Sequence, residues 1–267
     1  MLYARGKDTT SATRLHPVRH EPRREIFAAA YLYLFDSGAA ELDTPYAHFE
    51  LERTFSTQDE AMRLLADNER VVVSTGHQTS GRGRRGSKWL SAPRALAVSV
   101  GFRPEWPSEA WPRITLLAGL AARGVLGDHL SLKWPNDLLI DDSKVGGLLA
   151  EAVDDRLVVG LGVNLYWTDP PDGVGAVYPE DPGSAAVGRL AATFAAELFD
   201  RLVCGPEQWG RDEYRAACST IGRRIRWEPS GDGIVVDVGL DGTLLVERHG
   251  VPTSIMSGEV WEVRDAP

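Results

Sequence analysis

Lysine and asparagine are scarce in this chain of 267 residues. Only four of its 29 basic residues are lysines, and only three residues are asparagines. This composition is typical of a base-composition bias toward arginine, alanine and glycine codons. A lysine or asparagine that persists is therefore a candidate for a position where no other side chain serves, since a compact ammonium and a planar guanidinium differ in chemistry. These residues are Lys7, Lys88, Lys133, Lys144, Asn68, Asn136 and Asn164.

Other absences exclude whole classes of protein. Two cysteines are too few for a disulfide scaffold and indicate a reducing compartment, so we expect a cytoplasmic protein. No apolar run reaches the ~18 residues that a membrane span needs, and the first residues lack the apolar segment of a secretory signal. A net charge of −9 argues against a general nucleic-acid coat. The sequence shows no Ser/His/Asp triad, no Walker-type loop and no zinc-site spacing.

Apolar periodicity and turn residues divide the chain into three segments. Residues 1–48 combine a basic, proline-broken arm with one short apolar helix. Residues 49–221 alternate helices with strands joined by short turns. Residues 222–267 carry short alternating strands, the last at 258–263, typical of a small antiparallel barrel. The expected fold class is α+β, with a mixed or antiparallel sheet flanked by helices and a small C-terminal β-barrel.

The loop Gly81–Trp89 is the most basic part of the chain. Residues 70–104 hold seven basic side chains and no acid, which inverts the charge of the chain locally. Glycines at 81, 83 and 86 let the backbone approach a ligand, and the arginine forks between them match phosphate or carboxylate oxygens. Because like charges repel, we expect this loop to become ordered when an anion binds. A solvated basic loop or a nucleic-acid patch explains the composition equally well.

Three further segments combine polar side chains or glycines with strands. Lys133–Asp137 forms a turn that can present an amide and a carboxylate at a cleft, although an ordinary capped turn is the simpler interpretation. Glycines interrupt the strands of Lys144–Glu151 and Gly160–Asn164, where either a close ligand or a β-bulge accounts for them. Asn164, at the end of its strand, can form hydrogen bonds with a planar heterocycle through its amide.

Taken in chain order, these segments resemble the biotin protein ligases over about 49–165. The shared pattern begins with Ser56-Thr57 at a helix start and continues through Gln78, Gly-Arg-Gly-Arg-Arg-Gly, Lys-Trp-Pro-Asn-Asp and Lys-x-Gly-Gly to Gly-x-Gly-x-Asn. The related lipoate ligases lack the pair of Gly-Arg-Gly-Arg and Lys-Trp-Pro-Asn-Asp. The resemblance implies the class II synthetase-like biotin–lipoate ligase fold for residues 49–221 and an SH3-like barrel for residues 222–267.

This resemblance implies a ligase that activates biotin with ATP to biotinyl-5′-adenylate and transfers biotin to a lysine. The implied acceptor is the biotin carboxyl carrier domain of a biotin-dependent carboxylase. Biotin, ATP and Mg²⁺ are the implied ligands, with the Mg²⁺ held mainly by ATP. Family members often pair, so a homodimer is one implied assembly, whereas no nucleic acid or membrane is expected. Residues 1–48 lack the several helices of a winged helix-turn-helix, so we expect no operator binding.

The resemblance also assigns residues to roles. The implied catalytic residues are Arg82, Arg84, Asp137 and Lys144. The implied biotin-binding residues are Ser56, Thr57, Gln58, Gln78, Gly81, Arg82, Gly83, Arg84, Lys144, Gly160 and Gly162. The implied ATP- or adenylate-binding residues are Arg84, Arg85, Trp89, Lys133, Asn136, Lys144 and Asn164. Cations would neutralise charge as the carboxylate meets the α-phosphate, and Asp137 would orient or deprotonate the incoming lysine.

Some positions depart from the family pattern, and other functions stay open. Gln58 stands where asparagine is usual, Ser87 stands where a basic residue is common, and residues 167–183 show no match. These departures concern affinity more than reaction type. One alternative is a biotin-nucleotide sensor without transfer activity, which pyrophosphate release would test. The other is a nucleic-acid binder that uses Arg82–Arg85, which salt-dependent DNA retention would reveal.

Overall fold

The computed structural model describes residues 46–227, 231–248, 250–256 and 264–265. The arm and short helix were predicted for residues 1–48, and residues 1–45 of that segment lie outside the described residues. The barrel strand predicted at 258–263 lies outside them as well. Among the described residues, no helix has the length and apolar character that a membrane crossing requires.

The described residues form four α-helices and two sheets. The helices are α1 (Thr57–Leu64), α2 (Trp111–Leu126), α3 (Ala186–Leu202) and α4 (Arg211–Ala217). The strands of the first sheet are β1 (Ala47–Glu50), β2 (Arg70–Thr75), β3 (Arg94–Phe102), β4 (Ser131–Lys133), β5 (Asp137–Ile140), β6 (Ser143–Val153) and β7 (Arg156–Tyr166). The strands of the second are β8 (Arg224–Trp227), β9 (Gly231–Val238), β10 (Leu244–Arg248), β11 (Val251–Ile255) and β12 (Arg264–Asp265).

The first sheet is mixed and has helices on both faces. Its strand order is β1-β2-β3-β7-β6-β5-β4, and only the β1–β2 pair among these is parallel. Val72 on β2 packs into the core that α2 and α3 cover, whereas Val71 and Val73 pack on the opposite face with Ala61 of α1. Because both faces of β2 are covered, its valines run without polar alternation. The predicted mixed sheet with flanking helices is confirmed.

The second sheet is antiparallel, with strand order β11-β10-β9-β8-β12. The turn at Asp241-Gly242 joins β9 to β10, as its sequence predicts, and Gly242 has a φ of 83°, which favours glycine. Strand β11 was not predicted, because Pro252 lies inside it and proline argues against a central strand. At the edge of the sheet, where β11 lies, proline is tolerated. The closed SH3-like barrel and the boundary at residue 221 stay predictions.

Trp134, the second residue of Lys133–Asp137, joins the two sheets. Its side chain is fully buried, and its Nε1 donates to the carbonyl oxygen of Gly242 at 3.1 Å. Its backbone N–H donates to Thr220 Oγ1 at 3.0 Å. The motif that resembles the ligases therefore contains a structural anchor next to its polar residues.

Substituting Trp134 with alanine is expected to lower the free energy of unfolding by about 3–5 kcal/mol, because the change leaves a large cavity between the sheets. Urea unfolding measures the loss. The Trp134→Phe variant keeps most of the volume but loses the indole hydrogen bond, and its expected loss is smaller, about 1–3 kcal/mol. Equal stability of Trp134→Ala and the wild type would contradict the anchoring role.

Candidate active site

A cleft of about 1090 Å³ opens on the α1 side of the first sheet. Most of the predicted site residues line it: Ser56, Thr57, Gln58, Gln78, Arg82, Gly83, Arg84, Arg85, Trp89, Lys133, Asn136, Asp137, Lys144, Gly160 and Gly162. Gly81 and Asn164 are the predicted residues that do not line it. The fold thus collects segments that are up to about a hundred residues apart in the chain, although their individual roles stay predictions.

Small residues form the floor of the cleft. The strand register places Ala97 opposite Gly162, Gly162 opposite Gly147, and Gly147 opposite Asp137. Trp89 packs on this row, since a Cβ atom at Gly162 would stand 3.0 Å from its indole ring and one at Gly147 would stand 3.4 Å from it. The glycines therefore make room for an aromatic side chain, which is one of the reasons for glycine in a strand.

Lys144 and Asp137 meet beside this floor. Lys144 Nζ lies 2.6 Å from Asp137 Oδ1, and it lies 5.8 Å from the centroid of the Trp89 ring. Both side chains are partly accessible, so an incoming carboxylate or phosphate can compete with Asp137 for the ammonium. Arg84 stands nearby, and burial together with the charge of Arg85 lowers the pKa of its guanidinium, whereas Asp137 opposes that shift. Bound anionic oxygens would lessen the repulsion between the two arginines.

Arg82 is held by two acidic side chains. It donates to Asp59 of α1 at 2.6 and 2.9 Å, to Glu151 of β6 at 3.0 and 3.3 Å, and to Ser56 Oγ at 3.2 Å. These bonds use all five N–H donors of the guanidinium, and the two acids raise the pKa of Arg82. Arg82 therefore anchors one end of the basic loop. Its predicted catalytic contact requires some of these bonds to break.

Substituting Asp59 with asparagine removes one of the ion pairs that hold Arg82 and with it the basic loop. We expect trypsin to cleave after Arg84 and Arg85 about two- to fivefold faster, which is the effect of losing one exposed ion pair. Arg82 holds the pKa of Asp59 below its usual 3.8. The pair is therefore intact at the pH of the digest and is lost as the pH falls through that lowered pKa. Asp67→Asn, on an exposed turn, is the matched control. Equal cleavage rates for the Asp59 variant and the control would contradict the anchor.

Hydroxyl and amide groups meet at the other end of the cleft. Ser56 caps α1, and its Oγ accepts from Asp59 N at 3.3 Å. The Thr57 N–H donates to Gln78 Oε1 at 2.8 Å, and Thr57 Oγ1 lies 3.1 Å from the same oxygen. Ser99 of β3, which the sequence did not single out, lies 2.8 Å from Thr57 Oγ1. Its only signal was the alternation of β3, which places it on the same face as Ala97.

Two predicted residues have structural surroundings and do not line the cleft themselves. Asn164 is buried, accepts from Ala92 N at 3.1 Å and donates to the Gly175 carbonyl oxygen at 3.1 Å. Its amide therefore joins two loops, and the predicted contact with adenine stays a prediction. Gly81 makes room for the Gln78 side chain, since a Cβ atom at residue 81 would stand 2.7 Å from Gln78 Nε2.

The second sheet contributes to the cleft as well. Arg226 and Trp227 of β8 are among its lining residues, although they were not predicted from the sequence. Lys133 lines the same cleft, and the Asn136 amide donates to the Leu148 carbonyl oxygen at 2.9 Å. The predicted catalytic segment and the C-terminal segment thus form one cavity between them.

Comparison with known proteins identifies the family. The biotin/lipoate A/B protein ligase family matches residues 50–164. A biotin–[acetyl-CoA-carboxylase] ligase of Mycobacterium tuberculosis is 35% identical, over 74% of this chain and 81% of its own length. The Paracoccus denitrificans enzyme of the same name is 36% identical, over 75% of this chain and 87% of its own length. The structure of the biotin protein ligase from Aquifex aeolicus in complex with biotin and ATP has a TM-score of 0.70 at 25% identity, covering 82% of this chain and 99% of that chain. With its fold, its cleft and this similarity, the chain belongs to the biotin protein ligases.

Proposed function

We propose that the cleft joins biotin to ATP and then transfers the biotinyl group to a lysine of a biotin carboxyl carrier domain. The observation that carries this proposal is the Lys144–Asp137 pair beside a glycine floor, in a cleft that Arg84 also lines and in a chain of the ligase family. MgATP is a substrate of this reaction. Among the described residues, no cluster of three or more His, Cys, Asp or Glu side chains is arranged to hold a metal ion.

In the first step, a carboxylate oxygen of biotin attacks the α-phosphorus of ATP. The bond from that phosphorus to the bridging oxygen breaks, and pyrophosphate leaves with the electron pair. A carboxylate is a weak nucleophile that must be held in line, and negative charge accumulates where the two anions meet. Lys144 and Arg84 supply positive charge at the cleft, and Mg²⁺ on the phosphates supplies more.

In the second step, the amine of the acceptor lysine attacks the acyl carbon of biotinyl-5′-adenylate. An amide bond forms, AMP leaves with the electron pair of the anhydride bond, and the amine loses a proton. Asp137 is suited to orient the lysine and take this proton once Lys144 has turned from Asp137 to the adenylate. No enzyme nucleophile is needed, because the adenylate itself is the activated acyl group.

The ureido ring of biotin is proposed to lie against the polar end of the cleft. Ser56 Oγ accepts bonds from Asp59 N and Arg82 Nη1, so its own hydrogen is directed elsewhere. The Gln78 amide nitrogen is a second donor on the cleft wall. The Ser56 hydroxyl and the Gln78 amide nitrogen can both donate to the ureido carbonyl oxygen of biotin. Thr57 Oγ1 and Gln78 Oε1 can accept from the two ureido N–H groups.

The test is to incubate the full chain with biotin, MgATP and a biotin carboxyl carrier domain. We expect streptavidin to detect the wild-type carrier and not a carrier whose acceptor lysine is replaced by arginine. Pyrophosphate release is measured in parallel without the carrier. Pyrophosphate release without labelling would favour a sensor that lacks transfer activity, and folded protein that does neither would overturn the proposal.

A further inference from the structure

Gln58 is buried between α1 and the first sheet, with its amide fixed in one orientation. Its Nε2 donates to the Leu149 carbonyl oxygen at 3.2 Å and to the Val158 carbonyl oxygen at 3.0 Å. The reversed orientation would point Oε1 at two carbonyl oxygens. Oε1 is therefore an acceptor, and it lies 3.0 Å from Ser99 Oγ. Gly160 leaves the space for it, since a Cβ atom there would stand 2.5 Å from Oε1.

Three oxygen–oxygen contacts connect Gln58 to Gln78 through two hydroxyl groups. Gln58 Oε1 lies 3.0 Å from Ser99 Oγ, Ser99 Oγ lies 2.8 Å from Thr57 Oγ1, and Thr57 Oγ1 lies 3.1 Å from Gln78 Oε1. The two hydroxyls supply two hydrogens for these three contacts. The central contact, the shortest, contains one hydrogen in either direction. One of the outer contacts is therefore left without a hydrogen.

The surroundings of the two amides decide which outer contact lacks a hydrogen. Gln58 is 5% exposed, so an unpaired Oε1 there would be a buried acceptor without a donor, which costs free energy. Gln78 is less buried, lines the open cleft, and its Oε1 already accepts from the Thr57 N–H at 2.8 Å. The favoured direction is therefore from Thr57 to Ser99 to Gln58. Gln78 Oε1 then keeps an acceptor position for a ligand.

We propose that Gln58 is a positioning residue that draws the Thr57 hydroxyl hydrogen away from Gln78 and so reserves Gln78 Oε1 for a ureido N–H of biotin. This inference rests on the proposed function, since it concerns the ring that the cleft binds. Gln58 acts through Ser99 and Thr57, without contacting the ring itself. The Gln58 amide reaches carbonyl oxygens on both β6 and β7.

The test measures binding of biotin and of its two cyclic carbamate analogues, in each of which a ring oxygen replaces one ureido N–H. Titration calorimetry on the full chain without ATP gives the preference for biotin over each analogue. For the analogue whose oxygen faces Gln78, we expect Gln58→Met to reduce the wild-type preference about five- to tenfold, the effect of one neutral hydrogen bond. Ser99→Ala should reduce it equally, because Thr57 then donates to Gln78 in both variants.

Non-additivity distinguishes this relay from a general loss of packing. The Gln58→Met/Ser99→Ala double variant should show the preference of either single variant. Ser74→Ala removes a buried hydroxyl on β2 outside the cleft and should keep the wild-type preference, while thermal unfolding shows that each variant is folded. Folded single variants with the wild-type preference, or additive effects in the double variant, would overturn the proposal. A wild-type chain that neither binds biotin nor labels the carrier would instead overturn the proposed function.

Discussion

The Lys144→Arg variant should form biotinyl-adenylate about 100-fold or more slowly than the wild type, the effect of losing one well-placed charge-stabilising donor. Lys144 Nζ lies 2.6 Å from Asp137, and a Cβ atom at Gly147 would stand 3.5 Å from Lys144 Cε. A planar fork in this space would hold Asp137 bidentately instead of turning to the substrate. Pyrophosphate release from biotin and MgATP measures the rate.

Two comparisons make this result specific. Lys7→Arg makes the same chemical change outside the motifs that resemble the ligases, and its rate should equal that of the wild type. Biotin binding without ATP should change much less than the rate, because the lost interaction is needed most where charge develops. Near-normal adenylation by Lys144→Arg would show that a point charge is not required there, and that the persistence of this lysine in an arginine-rich chain is a coincidence.

The Asp137→Asn variant should transfer biotin from preformed adenylate about 10²- to 10⁴-fold more slowly than the wild type, the usual contribution of a general base. Asparagine keeps the size of the side chain and removes its ability to take a proton. Single-turnover transfer to the carrier domain measures this step. Pyrophosphate release in the absence of carrier should fall far less, because the first step does not require a proton acceptor.

Asp141→Asn is the matched control for that variant. Asp141 lies in the turn after β5 with a φ of 47°, it is exposed, and it is not among the residues that line the cleft. Asparagine tolerates such a backbone conformation, so its transfer rate should be normal. An Asp137→Asn enzyme that transfers biotin at the full rate would remove Asp137 from the second step.

Much of the local structure was predictable because its causes lie within a few residues. Ser56 caps α1 as predicted, and Asp59 in the first turn favours the helix dipole. The helix over Trp111–Leu126 follows from its apolar sequence, with Pro112 in the first turn, where proline is tolerated. The glycines of Lys144–Glu151 and Gly160–Asn164 lie side by side because the strands that carry them, β6 and β7, are neighbours in the first sheet. Strand β11 was missed because an edge strand tolerates the proline that elsewhere argues against a strand.

The roles of polar side chains were harder to predict, because a residue type does not show which of its donors are already used. The substrate contact of Arg82 stays a prediction, and its residue type does not show that Asp59, Glu151 and Ser56 together use all five N–H donors of its guanidinium. The adenine contact of Asn164 stays a prediction as well, and the sequence does not show that its amide bonds to two backbone groups. Ser99 lies in a strand of small and apolar residues, and nothing in that local sequence indicates that it links Thr57 to Gln58.

The family, the reaction and the order of most elements could be predicted from the sequence. Motifs, helix caps and the alternation of apolar residues along strands each depend on a short stretch of chain. The tertiary structure decided which donors and acceptors of the polar side chains are already used. Those properties depend on partners far along the chain: Arg82 meets Glu151 across 69 positions, and Gln58 meets Val158 across 100. Charge belongs to the residue type, whereas an available hydrogen bond depends on every neighbour that folding brings within reach.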